Sequence, residues 1–214
     1  MKEKEITQIT IAILVLGFVS GFMELIRGDY KTFSIIVVFG AIIIAANIIS
    51  KKLMASHLDA DVKHEIWQMQ RFGFKPHHYL KKSIMAGVII PLFVTIITLG
   101  GIKLMSILTY ETRALKRRAA KRFGPYSFTE MTDYHNALVG AVGIVSSLLI
   151  TFITYWLPGS YWGIIGRMAT FYAFFNLIPF SKLDGSQIYF GSRVLWSVLA
   201  VITLIFMMYA MLLV

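Results

Sequence analysis

Five long apolar runs constrain the fold of this chain more than any other feature of its sequence. They cover residues 6–26, 33–50, 135–157, 161–180 and 194–214. A helix needs about 20 apolar residues to cross the roughly 30 Å hydrocarbon core of a bilayer. The chain is 57% hydrophobic with a mean hydropathy of +0.70, more apolar surface than a water-soluble domain can bury. The pattern predicts an all-α, multi-pass integral membrane protein with about five to six transmembrane helices.

Composition narrows the chemistry and the partners of such a protein. The chain contains no cysteine, which excludes disulfides, thiolate metal sites and cysteine nucleophiles. Its formal charge of +10 comes mainly from loop lysines and arginines. In a membrane protein such charge marks contact with anionic lipid headgroups and sets orientation, so we expect a lipid bilayer partner and no nucleic acid.

The order of the runs predicts a single membrane domain over residues 1–214. Residues 1–32 form an N-terminal transmembrane helix, 33–196 a core with a cytosolic loop at about 109–134, and 194–214 a C-terminal transmembrane helix. The positive-inside tendency then places the N-terminus in the cytosol and the C-terminus outside. The loop contains a basic cluster that favours an amphipathic helix on anionic lipid, with docking of a partner or nucleic acid as the alternative: Arg113, Lys116, Arg117, Arg118, Lys121 and Arg122.

Residues 84–108 are apolar but interrupted by Pro91, by two adjacent glycines and by Lys103. A simple crossing would put one of the two flanking basic clusters outside, against the positive-inside tendency. We therefore expect a re-entrant segment, and a distorted span is the alternative.

Small residues recur in the run at 135–157. Gly140, Gly143 and Ser147 have the spacing that lets two helices approach closely, so they predict a packing face. Thr132 or Asp133 is expected to cap the N-terminus of this helix.

The most unusual stretch is residues 176–185, which read NLIPFSKLDG at the end of an aromatic, apolar run. Pro179 interrupts a helix, and Asn176 can hydrogen-bond the freed backbone groups. Asp184 then lies on broken backbone at the edge of the membrane, and an ionisable residue there is a candidate functional site.

This stretch resembles the NxxPxxxLDG motif of the site-2 protease family of intramembrane zinc metalloproteases. The matching residues are Asn176, Pro179, Leu183, Asp184 and Gly185. The resemblance implies the family's helical core, with Asp184 as the third zinc ligand beside two histidines from an upstream HExxH helix. It also implies a cleft for a transmembrane segment of another membrane protein.

The HExxH motif is absent from the chain. In the corresponding helix Asn47 stands at the first histidine position, Ile48 at the general-base glutamate and Lys51 at the second histidine. A lysine ammonium has no free lone pair for zinc, and isoleucine cannot take a proton from a metal-bound water. We therefore expect no cofactor and no catalytic residues. A buried charge needs a partner, so the sequence also predicts that Asp184 pairs with Lys51.

A displaced metal site is the alternative. Its ligands would come from Asp184, His135, His57 and His64, with Glu65 as the only available base. Residues 56–79 are helix-compatible, and their histidines are interpreted as surface residues rather than ligands.

Three functions follow from these observations. The preferred one is a non-catalytic pseudoprotease that keeps a site-2-protease-like fold and acts as a binding or scaffold subunit for another membrane protein. The second is an active intramembrane zinc metalloprotease with displaced ligands. The third is a small transporter or channel lined by Arg167, Glu24 and Asp184.

Overall fold

A computed structural model describes residues 3–71, 79–115 and 131–212. Its helices are α1 (Glu3–Ile26), α2 (Tyr30–His57), α3 (Ala86–Ile97), α4 (Asp133–Trp156), α5 (Ser160–Leu177), α6 (Asp184–Gly191) and α7 (Arg193–Leu212). Its strands are β1 (Ala60–Ile66), β2 (Met69–Arg71), β3 (Tyr79–Ile84) and β4 (Leu108–Ala114). The described part of the chain is therefore mostly helical, with a small strand region between α2 and α4.

Four of these helices are long and apolar enough to cross a membrane: α1, α2, α4 and α7. They coincide with four of the five apolar runs, and the structure is that of a largely helical chain compatible with a membrane protein. Helix α5 matches the fifth run but is not among the four. It contains Arg167 and Asn176, which lower its hydropathy.

The long helices run alternately up and down, which gives the bundle two distinct ends. Gly28 adopts a φ of 77° in the turn between α1 and α2, and Asp29 caps α2 by accepting from the Thr32 amide at 3.0 Å. Thr132 caps α4 by accepting from the His135 amide, which confirms one of the two expected caps. One end, which we call the pair end, holds the start of α1, the end of α2 and α6. The opposite end holds the α1–α2 turn, the start of α5 and the end of α7.

The helix-compatible interpretation of residues 56–79 is wrong for residues 60–71, while residues 72–78 lie outside the described ranges. Residues 60–66 form β1, which pairs antiparallel with β4 from Ala60↔Ala114 to Ile66↔Leu108, and 69–71 form β2. Side chains along β1 alternate between buried and more exposed positions, the period of a strand with one buried face. His57 and His64 therefore do not share a helix face.

The segment 84–108 returns to the place where it starts. The Gly87 amide donates to the Trp67 carbonyl at 2.9 Å, and the Trp67 amide donates to the Ile107 carbonyl at 2.9 Å. Helix α3 has 12 residues and is about 18 Å long, too short to span the hydrocarbon core. The two ends of the segment therefore lie together, an arrangement that agrees with the re-entrant interpretation.

The predicted basic cluster lies mostly outside the described residues. Arg113 is an exposed residue of β4 rather than of a helix. Lys116, Arg117, Arg118, Lys121 and Arg122 fall in the stretch 116–130, which the structure does not describe. The amphipathic helix stays a prediction for those five.

Candidate functional site

A buried ion pair connects the end of α2, where the family's HExxH motif would lie, to the NLIPFSKLDG stretch. Lys51, near the end of α2, places its Nζ 2.5 Å from Oδ2 of Asp184, the first residue of α6, and each side chain is 2% exposed. The predicted pairing of Lys51 with Asp184 is thereby confirmed. The ammonium also lies 4.6 Å from the centre of the Tyr110 ring, at cation–π distance.

Helix α4 packs directly against this pair because it has a glycine, Gly143, where it crosses α2. A Cβ on Gly143 would lie 2.4 Å from Lys51 Cε and 2.9 Å from Asn47 Nδ2. The Asn47 amide, itself 2% exposed, uses this proximity to donate to the Gly143 carbonyl at 2.8 Å. The small-residue face of α4 is therefore a packing face, as expected, and the residue it accommodates is Lys51.

Ile48, which stands at the position of the general-base glutamate in the predicted alignment, contributes to the apolar core. Ile48 lies one residue along α2 from Asn47 and packs in the main core cluster, together with Ile44 and residues of α1. A carboxylate at this position would be buried among hydrocarbon. The three positions Asn47, Ile48 and Lys51 are thus all built into the packing of the bundle.

The stretch 176–185 holds Asp184 against Lys51. Helix α5 ends at Leu177, two residues before Pro179. The Asn176 amide donates back to the Tyr172 carbonyl at 2.9 Å. Gly185 presses on this break, because a Cβ there would lie 2.0 Å from the Leu177 carbonyl oxygen.

The strand region fixes the loop between α5 and α6. Trp67 donates to Ser181 Oγ at 3.1 Å, and Thr109 Oγ1 donates to the Lys182 carbonyl at 2.6 Å. Gln187 donates to the Tyr110 carbonyl at 3.0 Å. These hydrogen bonds make β4 the support on which the Asp184 segment rests.

A cleft of about 510 Å³ opens beside the ion pair, between the strands and the α6 segment. Its polar lining comes from the strands, the start of α4 and the segment around α6, and includes Glu65, Thr109, Thr112, Asn136, Lys182 and Gln187. Tyr110 also lines the cleft, and its hydroxyl donates to the Asn136 carbonyl at 2.8 Å. Tyr110 thus separates the cleft from the buried charges.

Burial shifts the proton equilibria around the pair. It raises the pKa of the Asp184 carboxyl, and the Lys51 ammonium opposes this by lowering it. Burial also raises the pKa of the Tyr110 hydroxyl, and the nearby Asp184 charge raises it further. Tyr110 is therefore a neutral hydrogen-bond donor at neutral pH.

The interpretation of His64 as a surface residue is wrong. Its side chain is 1% exposed on the inner face of β1, with Nδ1 3.5 Å from Oε1 of Glu5. Burial lowers the pKa of His64 to about 2, and the Lys51 and Lys52 charges act in the same direction, so the ring is neutral. Glu5 in turn pairs with Lys52 at 3.1 Å, which attaches the start of α1 to the end of α2.

The other proposed ligands are dispersed. His57 is the exposed last residue of α2, and His135 is held by Thr132 at the start of α4. Glu65 forms an ion pair with Lys63. Across residues 3–71, 79–115 and 131–212, no three His, Asp or Glu side chains group as metal ligands would.

The residues at the expected zinc position do not fit a zinc ion. Asn47 is bonded to backbone, Ile48 has no donor atom, and a cation already contacts one oxygen of Asp184. The other oxygen, Oδ1, is buried and has no hydrogen-bond partner among the described residues. The side chains at this position therefore form a structural ion pair and do not offer a set of ligands for zinc.

Sequence reasoning missed Tyr110, Trp67 and the Glu5–His64–Lys52 cluster. Tyr110 and Trp67 lie in stretches interpreted as loop or helix, so no pattern pointed to them. Glu5 lies in a charged N-terminal stretch of the kind that is usually solvated, yet it is 5% exposed. The partial apolar alternation along β1, which His64 interrupts, was the available signal.

Comparison with known proteins adds no relative to this picture. No protein-family model, no curated protein and no solved structure matches the chain. The resemblance to site-2 proteases therefore rests on the motif residues of the sequence.

Proposed function

We propose that this protein is a non-catalytic relative of the site-2 proteases, a membrane pseudoprotease that binds or scaffolds another membrane protein. The single observation that carries the proposal is the buried contact of 2.5 Å between Lys51 Nζ and Asp184 Oδ2. In the alignment that we propose, Lys51 takes the position of the second zinc histidine and Asp184 that of the zinc aspartate. A lysine charge there supplies the countercharge that the metal would otherwise give.

The ion pair explains how the Asp184 segment can keep its structure in a protein that does not hydrolyse peptides. A carboxylate in so dry a place is costly unless a cation contacts it. Lys51 supplies that cation from α2, so the break after α5 and the fold around it are stable without metal. The cleft of about 510 Å³ beside Tyr110 is the place where we expect a partner segment to bind.

Metal content of designed variants tests the proposal. We expect the purified wild-type protein, after chelation and zinc re-addition, to retain no zinc by inductively coupled plasma mass spectrometry. The triple variant Asn47→His, Ile48→Glu, Lys51→His rebuilds HExxH beside Asp184. We expect it to retain one zinc per chain, because two imidazoles and a carboxylate suffice for a catalytic-type site.

Two controls make this result specific. Adding Asp184→Ala to the triple variant should abolish zinc retention. The double variant Asn47→His, Ile48→Glu keeps Lys51 and should retain none, since the ammonium still contacts Asp184. Zinc bound by the wild-type protein and lost in Asp184→Ala would contradict the proposal and favour a protease with displaced ligands.

The transporter alternative requires Glu24, Arg167 and Asp184 to line one path. Glu24 and Arg167 line one cavity at the end of the bundle opposite the pair end, but Asp184 is not among its lining residues. The three charged residues therefore do not line one path.

A further inference from the structure

A second cavity, of about 360 Å³, lies at the end of the bundle opposite the ion pair. It is bounded by the end of α1, the start of α2, the segment after α3, α5 and the end of α7. Ile36, on the α2 side of this cavity, is 15 residues before Lys51, about 22 Å along the helix. The cavity is thus a separate site from the cleft beside Asp184.

Two cations face this cavity without an ion-pair partner. Lys103 and Arg167 both line it, and within the described ranges neither lies within 4.0 Å of a carboxylate. The charges of Lys103 and Arg167 repel each other, whereas the Glu24 carboxylate attracts the Lys103 ammonium. Glu24 itself is 3.8 Å from Arg27, so its charge is shared with a residue outside the cavity lining.

A buried hydroxyl also lines the same space. Ser20 is 5% exposed, and its Oγ has no hydrogen-bond partner among the described residues. A buried donor without a partner is uncommon in folded proteins and indicates that something else accepts its hydrogen bond. Two cations and one hydroxyl donor together form a site for oxyanions.

Glu24 also lines the cavity, with its carboxylate 3.8 Å from Arg27, and the rest of the lining is apolar or glycine and comes mainly from α5 and α7. Ile164, Met168, Phe171 and Met211 form its walls. The cavity extends from Glu24, near the end of α1, to Ser20 and Ile36, about 9 Å inside the α1–α2 turn, and so connects the headgroup level with the apolar core. Basic pockets between transmembrane helices on the cytoplasmic side bind anionic lipid headgroups through the same chemistry of neighbouring cations.

We propose that this cavity binds the phosphate group of an anionic membrane lipid. Lys103 and Arg167 contact the phosphate oxygens, Ser20 donates a hydrogen bond to them, and an acyl chain lies along the apolar wall formed by α5 and α7. The lipid fills the space between the segment after α3 and these helices, and it neutralises two like charges that face each other.

Native mass spectrometry of the full chain, titrated with phosphatidylglycerol in detergent, tests this site. We expect one tightly held phosphatidylglycerol per chain and weaker retention of zwitterionic phosphatidylcholine. Lys103→Gln or Arg167→Gln should each weaken retention on the order of fivefold, and the double variant about thirtyfold. Lys31→Gln removes an exposed charge at the same end and should leave retention unchanged.

The charge-preserving pair Lys103→Arg, Arg167→Lys separates binding from folding, since it should retain the lipid if the double glutamine variant loses it through charge. Equal retention of phosphatidylglycerol by the wild-type protein and the double glutamine variant would overturn the proposal. Displacement of the lipid by millimolar inorganic phosphate would assign the site to a free anion and overturn the lipid assignment.

Discussion

Lys51 and Asp184 are each buried to a degree that would be untenable for either charge alone. Their hydrogen-bonded contact and the Tyr110 ring replace the water that both groups lose on folding. Such pairs contribute little net stability relative to an apolar pair, but breaking one leaves an uncompensated buried charge. Removing one partner should therefore lower the free energy of unfolding far more than replacing both partners with apolar residues, and this difference can be measured.

We expect Lys51→Ala to lower the free energy of unfolding by about 3–5 kcal/mol, because it leaves the Asp184 carboxylate buried without a cation. Unfolding in mixed detergent and SDS micelles measures this change. The double variant Lys51→Met, Asp184→Leu should recover most of the loss, since both charges are removed together.

Arg113→Ala is the control at a solvent-exposed ion pair. Arg113 pairs with Glu111 at 3.9 Å and the two side chains are 69% and 46% exposed, so the loss should stay within about 1 kcal/mol. A Lys51→Ala variant as stable as the wild-type protein would show that the pair is not needed and would remove the main support for the proposed function.

At the level of elements, the break between α5 and α6 depends on the absence of a side chain at Gly185. The chain folds back so tightly that a Cβ would lie 2.0 Å from the Leu177 carbonyl oxygen and 2.7 Å from that of Ile178. Both contacts are with backbone, which cannot move aside as a flexible side chain can. The glycine of the LDG stretch is therefore required by packing, independently of any metal.

We expect Gly185→Ala to destabilise the protein by at least about 2 kcal/mol, because the overpacked backbone must shift and carry Asp184 away from Lys51. Thermal unfolding in detergent, followed by circular dichroism, measures the effect. Gly163→Ala in α5 is the control, because a methyl group added there would have no neighbour within 4 Å. Alanine at this position should be neutral or stabilising by up to about 1 kcal/mol. Equal behaviour of the two variants would contradict the packing argument.

The strand region shows where sequence patterns at the element level were ambiguous. The stretch 60–66 alternates buried and more exposed residues, but its buried positions include His64. A histidine at an inward position hides the apolar alternation that identifies a strand. Only pairing with β4, more than 40 residues later in the chain, gives this stretch its structure.

For the whole molecule, the packing places the ends of segment 84–108 together at the pair end and the α1–α2 turn at the other end. Because the chain has no cysteine, single cysteines can report this arrangement without background. Lys82 and Glu111 are exposed near the two ends of the hairpin, and Lys31 is exposed in the first turn of α2.

We expect Lys82→Cys and Glu111→Cys to react with a membrane-impermeant maleimide only from the cytosolic side, and Lys31→Cys only from the outside. The reason is that the hairpin returns to its starting side, whereas α2 crosses between Lys31 and the pair end. Labelling of intact cells and of inverted vesicles compares the two sides. Reaction of Lys82→Cys and Glu111→Cys from opposite sides would contradict the hairpin.

The sequence by itself predicted the positions of the long apolar helices, which are compatible with a membrane protein, and the ion pair between Lys51 and Asp184. Apolar runs long enough to span a bilayer admit few structures other than helices, and an unpaired buried charge demands a partner of opposite sign. The helices follow from local chemistry, whereas the choice of Lys51 as the partner of Asp184 came from the resemblance of the region around Lys51 to the HExxH helix of the site-2 proteases.

Only the tertiary structure decided the strand pairing, the burial of His64, the role of Tyr110 and the second cavity with Lys103 and Arg167. Each depends on residues far apart in the chain, such as β1 with β4 or α1 with α5, whose meeting is set by the packing of the whole bundle. A single sequence records the residue types that such contacts need, but not which distant residues satisfy them.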